Sequence, residues 1–423
     1  MNIAIISYYF NDHHAEGIVT AKLARALAEA GHTISVFGNL VGTQEIVTKH
    51  LTNLDYTSID NDSPYWWRFL ENILPSNILG KKIIAIPSLL TYNSPNDYGW
   101  ILNVKKAFMK AHQEKPFDII HSRLNPHSSH QAALFIKKAH PEIPWCAYFS
   151  DPWPPHRLPA PYQNSSGALS RWRSDSLMDS FLELAESHIF TSTYMRDYLI
   201  KDHRLKLIEK SFVAPHISPY WETPIQHIKK DTLTFRHAGI LNKNRNPNIL
   251  FDGIRKFLEK NKDATNSIRF EFMGRNYAGI DSKPIKPPHD LKDIVFFFDQ
   301  NDLSETWHWI AQADILLLLE FHFSKGIFFY AKLSDYLHTA RPILALSPKE
   351  GVVADLFKKG GGIIVPPDNS EQIASALDQI FTLWHSKNLD KIIRNVPLAE
   401  NVHPNKVIPI YEQAFKKAII ENS

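Results

Sequence analysis

Apolar runs of strand length alternate with helix-spaced segments along most of the chain. Residues 3–7, IAIIS, are a continuous apolar run, and the following IVTAKLARALAEAG sets Ile18, Leu23 and Leu27 at roughly helical spacing. Gly31 is placed to end that helix, and TISVFG follows as a second strand. Strand, helix and strand so close together make a βαβ unit, and hence parallel strands. The alternation returns at FDIIHS (117–122), SHQAALFIKKAH (129–140), PWCAYFS (144–150) and SHIFTS (187–192). A segment at about 55–100, rich in aromatics and broken by prolines, does not fit it.

A second series follows the proline-rich stretch VAPHISPYWETP, which has the composition of a linker. It runs through LTFRHAG, NILFDGIRKFLEK, IRFEFMG, DIVFFF, SETWHWIAQA, DILLLLE, AKLSDYLHTA, PILALS and GGIIVPP, and the closing VIPIYEQAFKKAI is amphipathic and helical. The pattern predicts an α/β protein of two Rossmann-like, doubly wound parallel-sheet domains, 1–212 and 213–404, with a helix over 405–423 that could pack back on the first. Such a pair is expected to hold a ligand in a cleft at the carboxyl ends of both sheets. The loop FSDPWPPH (149–156) follows a strand, so Asp151 is expected at that rim.

Length and composition sharpen this reading. A chain of 423 residues exceeds one ordinary core, and 44% hydrophobic with 22% charged residues is close to the globular average. The net charge of +3, without a run of five basic residues, gives no nucleic-acid signature. A single cysteine, Cys146, cannot form an intrachain disulfide and favours a reducing compartment, hence the cytosol. The opening MNIAIISYYF lacks a basic n-region and a small-residue cleavage site and reads as a strand, and no apolar run reaches the roughly 18 residues that span a bilayer.

Three segments carry candidate chemistry. In YYFNDHHAEGIVT, Gly17 precedes the first helix, where backbone N–H groups can hold an anion, and it serves equally for a tight turn. The dinucleotide fingerprint GxGxxG is absent there, which removes the main support for a nicotinamide enzyme. In FRHAGILNKNRNP, Gly239 is followed by Lys243 and Arg245 ahead of a helix, a loop suited to a diphosphate or simply solvated. In YAKLSDYLHTARPILAL, Lys332, Asp335 and Tyr336 share one helix face, where the carboxylate can accept from two ribose hydroxyls or pair with the lysine. The histidine clusters NDHHAE and HSRLNPHSSH match no metal spacing, so no metal site is expected.

These segments resemble the nucleotide-sugar glycosyltransferases of the GT-B fold, family 4-like. AEGIVTAKLARALAEAGHTISVFG is similar to that family's opening βαβ. DYGWILNVKKAF, FDIIHSRLNPHSSHQAALFIKK and IPWCAYFSDPW are similar to a subgroup with an SSH turn and a DPW loop. FRHAGIL with RNP resembles its diphosphate loop, which puts Arg245 on the donor diphosphate, while Ile240 stands where a second cation is usual. Asp335 falls at the second of two acidic positions and implies a ribose contact; Ile327 stands at the first, leaving Glu320 or the backbone of SKGIFF to meet the sugar. EFMGRN resembles the strand and glycine turn facing the donor, which adds Gly274 and Arg275.

The resemblance implies a metal-independent, hexosyltransferase-like enzyme that retains anomeric configuration and needs no cofactor beyond its nucleotide-sugar substrate. Asp151 and Arg245 are the candidate catalytic groups. Gly17, Gly239, Arg245, Gly274, Arg275, Lys332, Asp335 and Tyr336 are donor-side candidates, with Asp151, Trp153 and His127 on the acceptor side. The acceptor is expected to be a glycan or lipid-linked glycan of cell-surface polysaccharide synthesis, made in the cytoplasm. Trp66, Trp67, Phe69 and Leu70 with Arg68, Lys81 and Lys82 suit peripheral contact with a membrane's inner face, or a core. A non-catalytic nucleotide-sugar or partner-binding protein and a sugar-nucleotide epimerase are the competing readings.

Overall fold

The structure is a computed structural model that describes the chain apart from residues 12–13, 40–50, 75–77, 161–162, 165, 201–204, 223–227, 229–230, 244, 277–283, 322, 394–397 and 423. His13 of the NDHHAE cluster and the side chains of Lys81 and Lys82 lie outside the described set. The chain divides into two compact units, Met1–Ala214 with Val407–Ser423, and Pro215–Lys406.

The first unit is built on a seven-stranded sheet in the order β3-β2-β1-β4-β5-β6-β7, with every described pairing parallel. Its central strands are β1 (Asn2–Tyr9), β4 (Ile119–Arg123) and β5 (Trp145–Phe149); β2 (Thr33–Asn39) and β6 (Ser187–Phe190) flank them. Ile3, Ala4, Ile5 and Ile6 are all fully buried, because helices cover both faces of a parallel sheet. The edges, β3 (Leu54–Ser58) and β7 (Ser211–Val213), are short, and LDYTS buries only its leucine, so neither presents an apolar run.

Six helices of this unit matter below: α1 (Ala15–Glu29), α2 (Tyr65–Ile73), α3 (Ile78–Thr91), α4 (Pro95–Glu114), α5 (Ser128–Ala139) and α6 (Ala168–Leu184). The segment that broke the alternation thus holds the edge strand β3 and the helices α2 and α3, followed by α4. The start of α4 is encoded locally: Ser94 accepts from the Asp97 N–H at 3.1 Å, and Pro95 sits where its missing N–H is harmless.

The second unit has a six-stranded sheet, β10-β9-β8-β11-β12-β13, again parallel. Its strands are β8 (Leu233–Ala238), β9 (Ile268–Met273), β10 (Val295–Phe298), β11 (Ile315–Leu319), β12 (Ile343–Leu346) and β13 (Gly362–Val365). Along β11, Ile315, Leu317 and Leu319 join one core and Leu316 and Leu318 the other. That period of two explains why ILLLL is apolar throughout: both faces are covered. The covering helices include α7 (Asn248–Lys260), α8 (Leu303–Ala311), α9 (Ala331–Thr339) and α10 (Ser370–His385). The last helix, α11 (Pro404–Asn422), returns the chain to the first unit, where Glu412 meets His32 at 2.9 Å and Phe415 packs on His121.

Candidate active site

In a doubly wound sheet, the loops after neighbouring strands leave to opposite faces where the strand order reverses, and a crevice opens at the carboxyl ends. The reversal lies between β1 and β4 in the first unit and between β8 and β11 in the second. Each unit gathers ionisable side chains there.

In the first unit Glu16, in the opening turn of α1, meets Arg123, the last residue of β4, with Nε to Oε1 at 3.1 Å. Arg123 is 1% exposed, also donates to Thr20 Oγ1 at 2.8 Å, and lies 3.9 Å above the Tyr148 ring. Ser150 follows β5, and its hydroxyl lies 3.3 Å from Glu16 Oε2, 3.1 Å from Asp151 Oδ2 and 3.2 Å from the Leu124 carbonyl. Asn125 donates to the same Asp151 oxygen at 3.2 Å. Burial pushes the Glu16 carboxyl up to about 8; Arg123 and Ser150 pull it down, and the Asp151 carboxylate beside it adds to the rise. A proton-bearing carboxyl, a hydroxyl and a partly exposed carboxylate therefore stand in line.

His127 and Trp153 stack on each other, with centroids 4.9 Å apart, and His127 Nε2 bonds the Tyr92 carbonyl at 2.8 Å. They form a wall beside the Asp151 loop, and burial holds the imidazole below its ordinary pKa. Gly17 is buried, and a Cβ there would lie 2.3 Å from the Asn11 carbonyl. Its lack of a side chain admits the loop backbone to α1.

In the second unit Gly239 ends β8 at φ +136, a conformation suited to glycine, with a Cβ there only 2.3 Å from Lys332 Nζ. Lys332, in the first turn of α9, lies 3.2 Å from His237 Nε2, and His237 Nδ1 donates to the Leu317 carbonyl at 2.9 Å. The Nε2 atom therefore accepts from the ammonium. Arg245 stands over the Phe321 and Tyr330 rings, 4.9 and 5.3 Å from their centroids, and its Nη1 reaches the Ile240 carbonyl at 3.4 Å. Burial and the Arg245 charge hold Lys332 well below the ordinary lysine range; burial and Lys332 do the same to His237. Crowded, desolvated cations beside a glycine turn favour an anion.

Asp335 lies one turn beyond Lys332 and is partly exposed. Tyr336 is fully buried and its hydroxyl accepts from the Ala238 N–H at 2.9 Å, so it braces the end of β8. Gly274 approaches Gly239 so closely that a Cβ would lie 2.7 Å from the Gly239 carbonyl. Arg275 beside it donates to Gln300 at 2.9 Å, and Lys243 is exposed. Ile327 is buried.

Glu320 follows β11 and is 5% exposed, with both carboxylate oxygens buried and without a hydrogen bond of standard geometry. Burial pushes it up to about 8, against the pull of Ser347 and Arg245. A Cβ at Gly326 would come within 3.1 Å of its Oε2. Glu16, Arg123 and His237 escape sequence reasoning. The available signals were an arginine closing an apolar run and a histidine inside one, where an unpaired polar group would be costly. Among the described residues, no group of three or more His, Cys, Asp or Glu is placed to hold a metal.

Residues 16–206 match the model of the glycosyl transferase 4-like domain. No curated protein sequence matches the chain. Among solved structures it is similar to Anabaena Alr3699/HepE in complex with UDP-glucose, at 13% identity over 98% of both chains and a TM-score of 0.64. A trehalose-6-phosphate synthase, OtsA, matches at 13% identity over 99% of both chains with a TM-score of 0.62. A UDP-forming α,α-trehalose-phosphate synthase from Burkholderia xenovorans matches at 12% over 98% of this chain and 99% of its own, with a TM-score of 0.59. At such identities the likeness is one of fold.

Proposed function

We propose that the chain, whose residues 16–206 match the glycosyl transferase 4-like domain model and whose two α/β units share the fold of the GT-B class, moves a sugar from a nucleotide-sugar donor to an acceptor hydroxyl. The observation that carries the proposal is the pair of cations at the β8 turn, where Lys332 packs on Gly239 and the neutral His237 imidazole, and Arg245 stands near enough to depress the lysine further. A bound diphosphate relieves that repulsion and receives hydrogen bonds where its charge develops. In this reading Asp335 accepts from the ribose and Glu320, proton-bearing at neutral pH, can both donate to and accept from sugar hydroxyls.

On the acceptor side, Asp151 orients the incoming hydroxyl. The bond from the anomeric carbon to the diphosphate oxygen breaks and the acceptor oxygen bonds to the same face, with retention. The acceptor proton passes to the departing diphosphate oxygen. Two protein cations on the diphosphate can serve where a divalent metal otherwise would, so we take the reaction to be metal-independent. Uridine is the first base to test because the HepE structure holds UDP-glucose. A hexose donor, a cell-surface glycan acceptor and a cytoplasmic site complete the proposal.

A second reading, nucleotide-sugar binding without transfer, is favoured by Ile240 and Ile327, apolar at positions where the resemblance implies polar groups. Both readings meet one experiment: thermal shift of the full chain with UDP, GDP, ADP, TDP and CMP, followed by donor hydrolysis with the matching nucleotide-sugars. At about 100 times Kd a ligand adds roughly 2.7 kcal/mol of stability. A shift with one base, lost in Asp335→Ala, together with slow donor hydrolysis supports the transferase. A shift without hydrolysis supports the binder, and no shift with any nucleotide overturns both.

A further inference from the structure

A single hydroxyl stands between two carboxyl groups of the first unit. Ser150 has one proton and three acceptors around it: Glu16 Oε2 at 3.3 Å, Asp151 Oδ2 at 3.1 Å and the Leu124 carbonyl at 3.2 Å. Arg123 Nε meets Glu16 at Oε1, so the serine meets the other oxygen. Asp151 Oδ2 also accepts from Asn125, and two donors thus anchor the carboxylate through one atom. With both carboxyls ionised, one proton would have to serve two carboxylates across a buried hydroxyl, and one of them would face the serine lone pairs. With a proton on Glu16 Oε2 the chain runs one way: Glu16 donates to Ser150, and Ser150 donates to Asp151.

Burial decides which carboxyl holds the proton. The Glu16 side chain is 10% exposed, whereas Asp151 is partly open to solvent and has the Asn125 amide as well. The charged and titratable groups facing Glu16 are Arg123 at the end of β4, Tyr148 of β5, Tyr411 of α11 and Asp151. Burial outweighs the guanidinium and the serine and leaves the carboxyl at about 8. We propose that Glu16 is a positioning residue for the transfer: by directing the Ser150 proton to Asp151, it fixes the carboxylate that orients the acceptor hydroxyl. When Glu16 ionises, two carboxylates compete for the Ser150 proton and Asp151 loses that anchor. The effect on turnover rests on the transferase reading, while the coupling of the two carboxyls rests on the side-chain geometry alone.

The coupling is read by carbon-13 NMR of the full chain labelled at its aspartate carboxyls, the Asp151 resonance being assigned by its loss in Asp151→Asn. As pH rises that resonance is expected to step with a midpoint near 8. The step should vanish in Glu16→Gln and shrink severalfold in Ser150→Ala. Turnover is read by donor hydrolysis, in which water takes the acceptor's place. The kcat of the natural chain should fall above about pH 8 while KM for the nucleotide-sugar holds. Glu16→Gln, whose amide donates to Ser150 and cannot ionise, should remove that fall, and Glu16→Ala should lower kcat about tenfold at every pH. Melting temperatures check that each variant is folded. An Asp151 resonance that stays level, a step undiminished in Ser150→Ala, or an alkaline fall in kcat that persists in Glu16→Gln would each overturn the proposal. Absence of hydrolysis with the Asp151 step intact would overturn the transferase reading and leave the coupling standing.

Discussion

Glu16 and Arg123 show how burial sets the state of a charged pair. Removing a carboxyl from water opposes its ionisation, and the guanidinium at 3.1 Å, the Ser150 hydroxyl and a second carboxylate leave it at about 8. Because the folded value lies above the unfolded one, the stability contributed by this proton is complete below about pH 4.5 and is lost as pH rises through 8. Glutamine mimics the protonated carboxyl and cannot lose a proton. Glu16→Gln should therefore be close to neutral at pH 4.5 and gain on the natural chain as pH rises, by on the order of 5 kcal/mol at pH 9. Denaturant titrations at the two pH values check this; parallel losses in both proteins would remove Glu16 as a titrating group. The residue was hidden in the sequence for a plain reason: its partner lies 107 positions away, and an acidic residue in a first helical turn already has a local explanation in the helix dipole. Asp151 was legible because its strand, its loop and its DPW context are contiguous.

At the scale of elements, the end of β8 depends on Gly239. The turn at φ +136 disfavours any side chain, and the end of the Lys332 side chain occupies the space that a Cβ would need. Gly239→Ala should lower stability by roughly 1–3 kcal/mol and abolish the nucleotide-induced shift, because the strained turn displaces Lys332 from its place beside His237. An alanine variant that melts and binds like the natural chain would show that the turn is not the anion site. The strands bordering both switch points were legible because burial on two faces makes them continuously apolar, as in IAIIS and ILLLL. The edge strand β3 was not, since only Leu54 of its five residues is buried and the rest carry no alternation. The aromatic segment was ambiguous because an apolar helical stripe has the same spacing whether it faces a core or solvent; only the fold shows that Trp66 and Phe69 point outward while Trp67 points in.

At the scale of the molecule, the first unit is discontinuous in sequence, and its last piece arrives only after the whole second unit has been made. Val407, Ile408, Tyr411 and Phe415 are buried, and Tyr411 and Phe415 close over His121, with Tyr411 stacked on Tyr148. Glu412 holds His32, and the Asn422 side chain donates to the Glu142 carbonyl at 2.6 Å. Each large buried side chain is worth about 1.5–3 kcal/mol, so the loss of four is comparable to the roughly 5–15 kcal/mol that keeps an ordinary domain folded. A chain ending at Lys406 should therefore lose the cooperative folding of the first unit, seen as rapid proteolysis within residues 1–214. The second unit keeps Gly239, Arg245, Lys332 and Asp335 on its own uninterrupted stretch, so the truncated chain should retain a protease-resistant core over 215–406 that nucleotide stabilises. Resistance of the first unit after truncation would mean that its sheet holds without the returning helix. Loss of both units together would mean that they fold as one cooperative system.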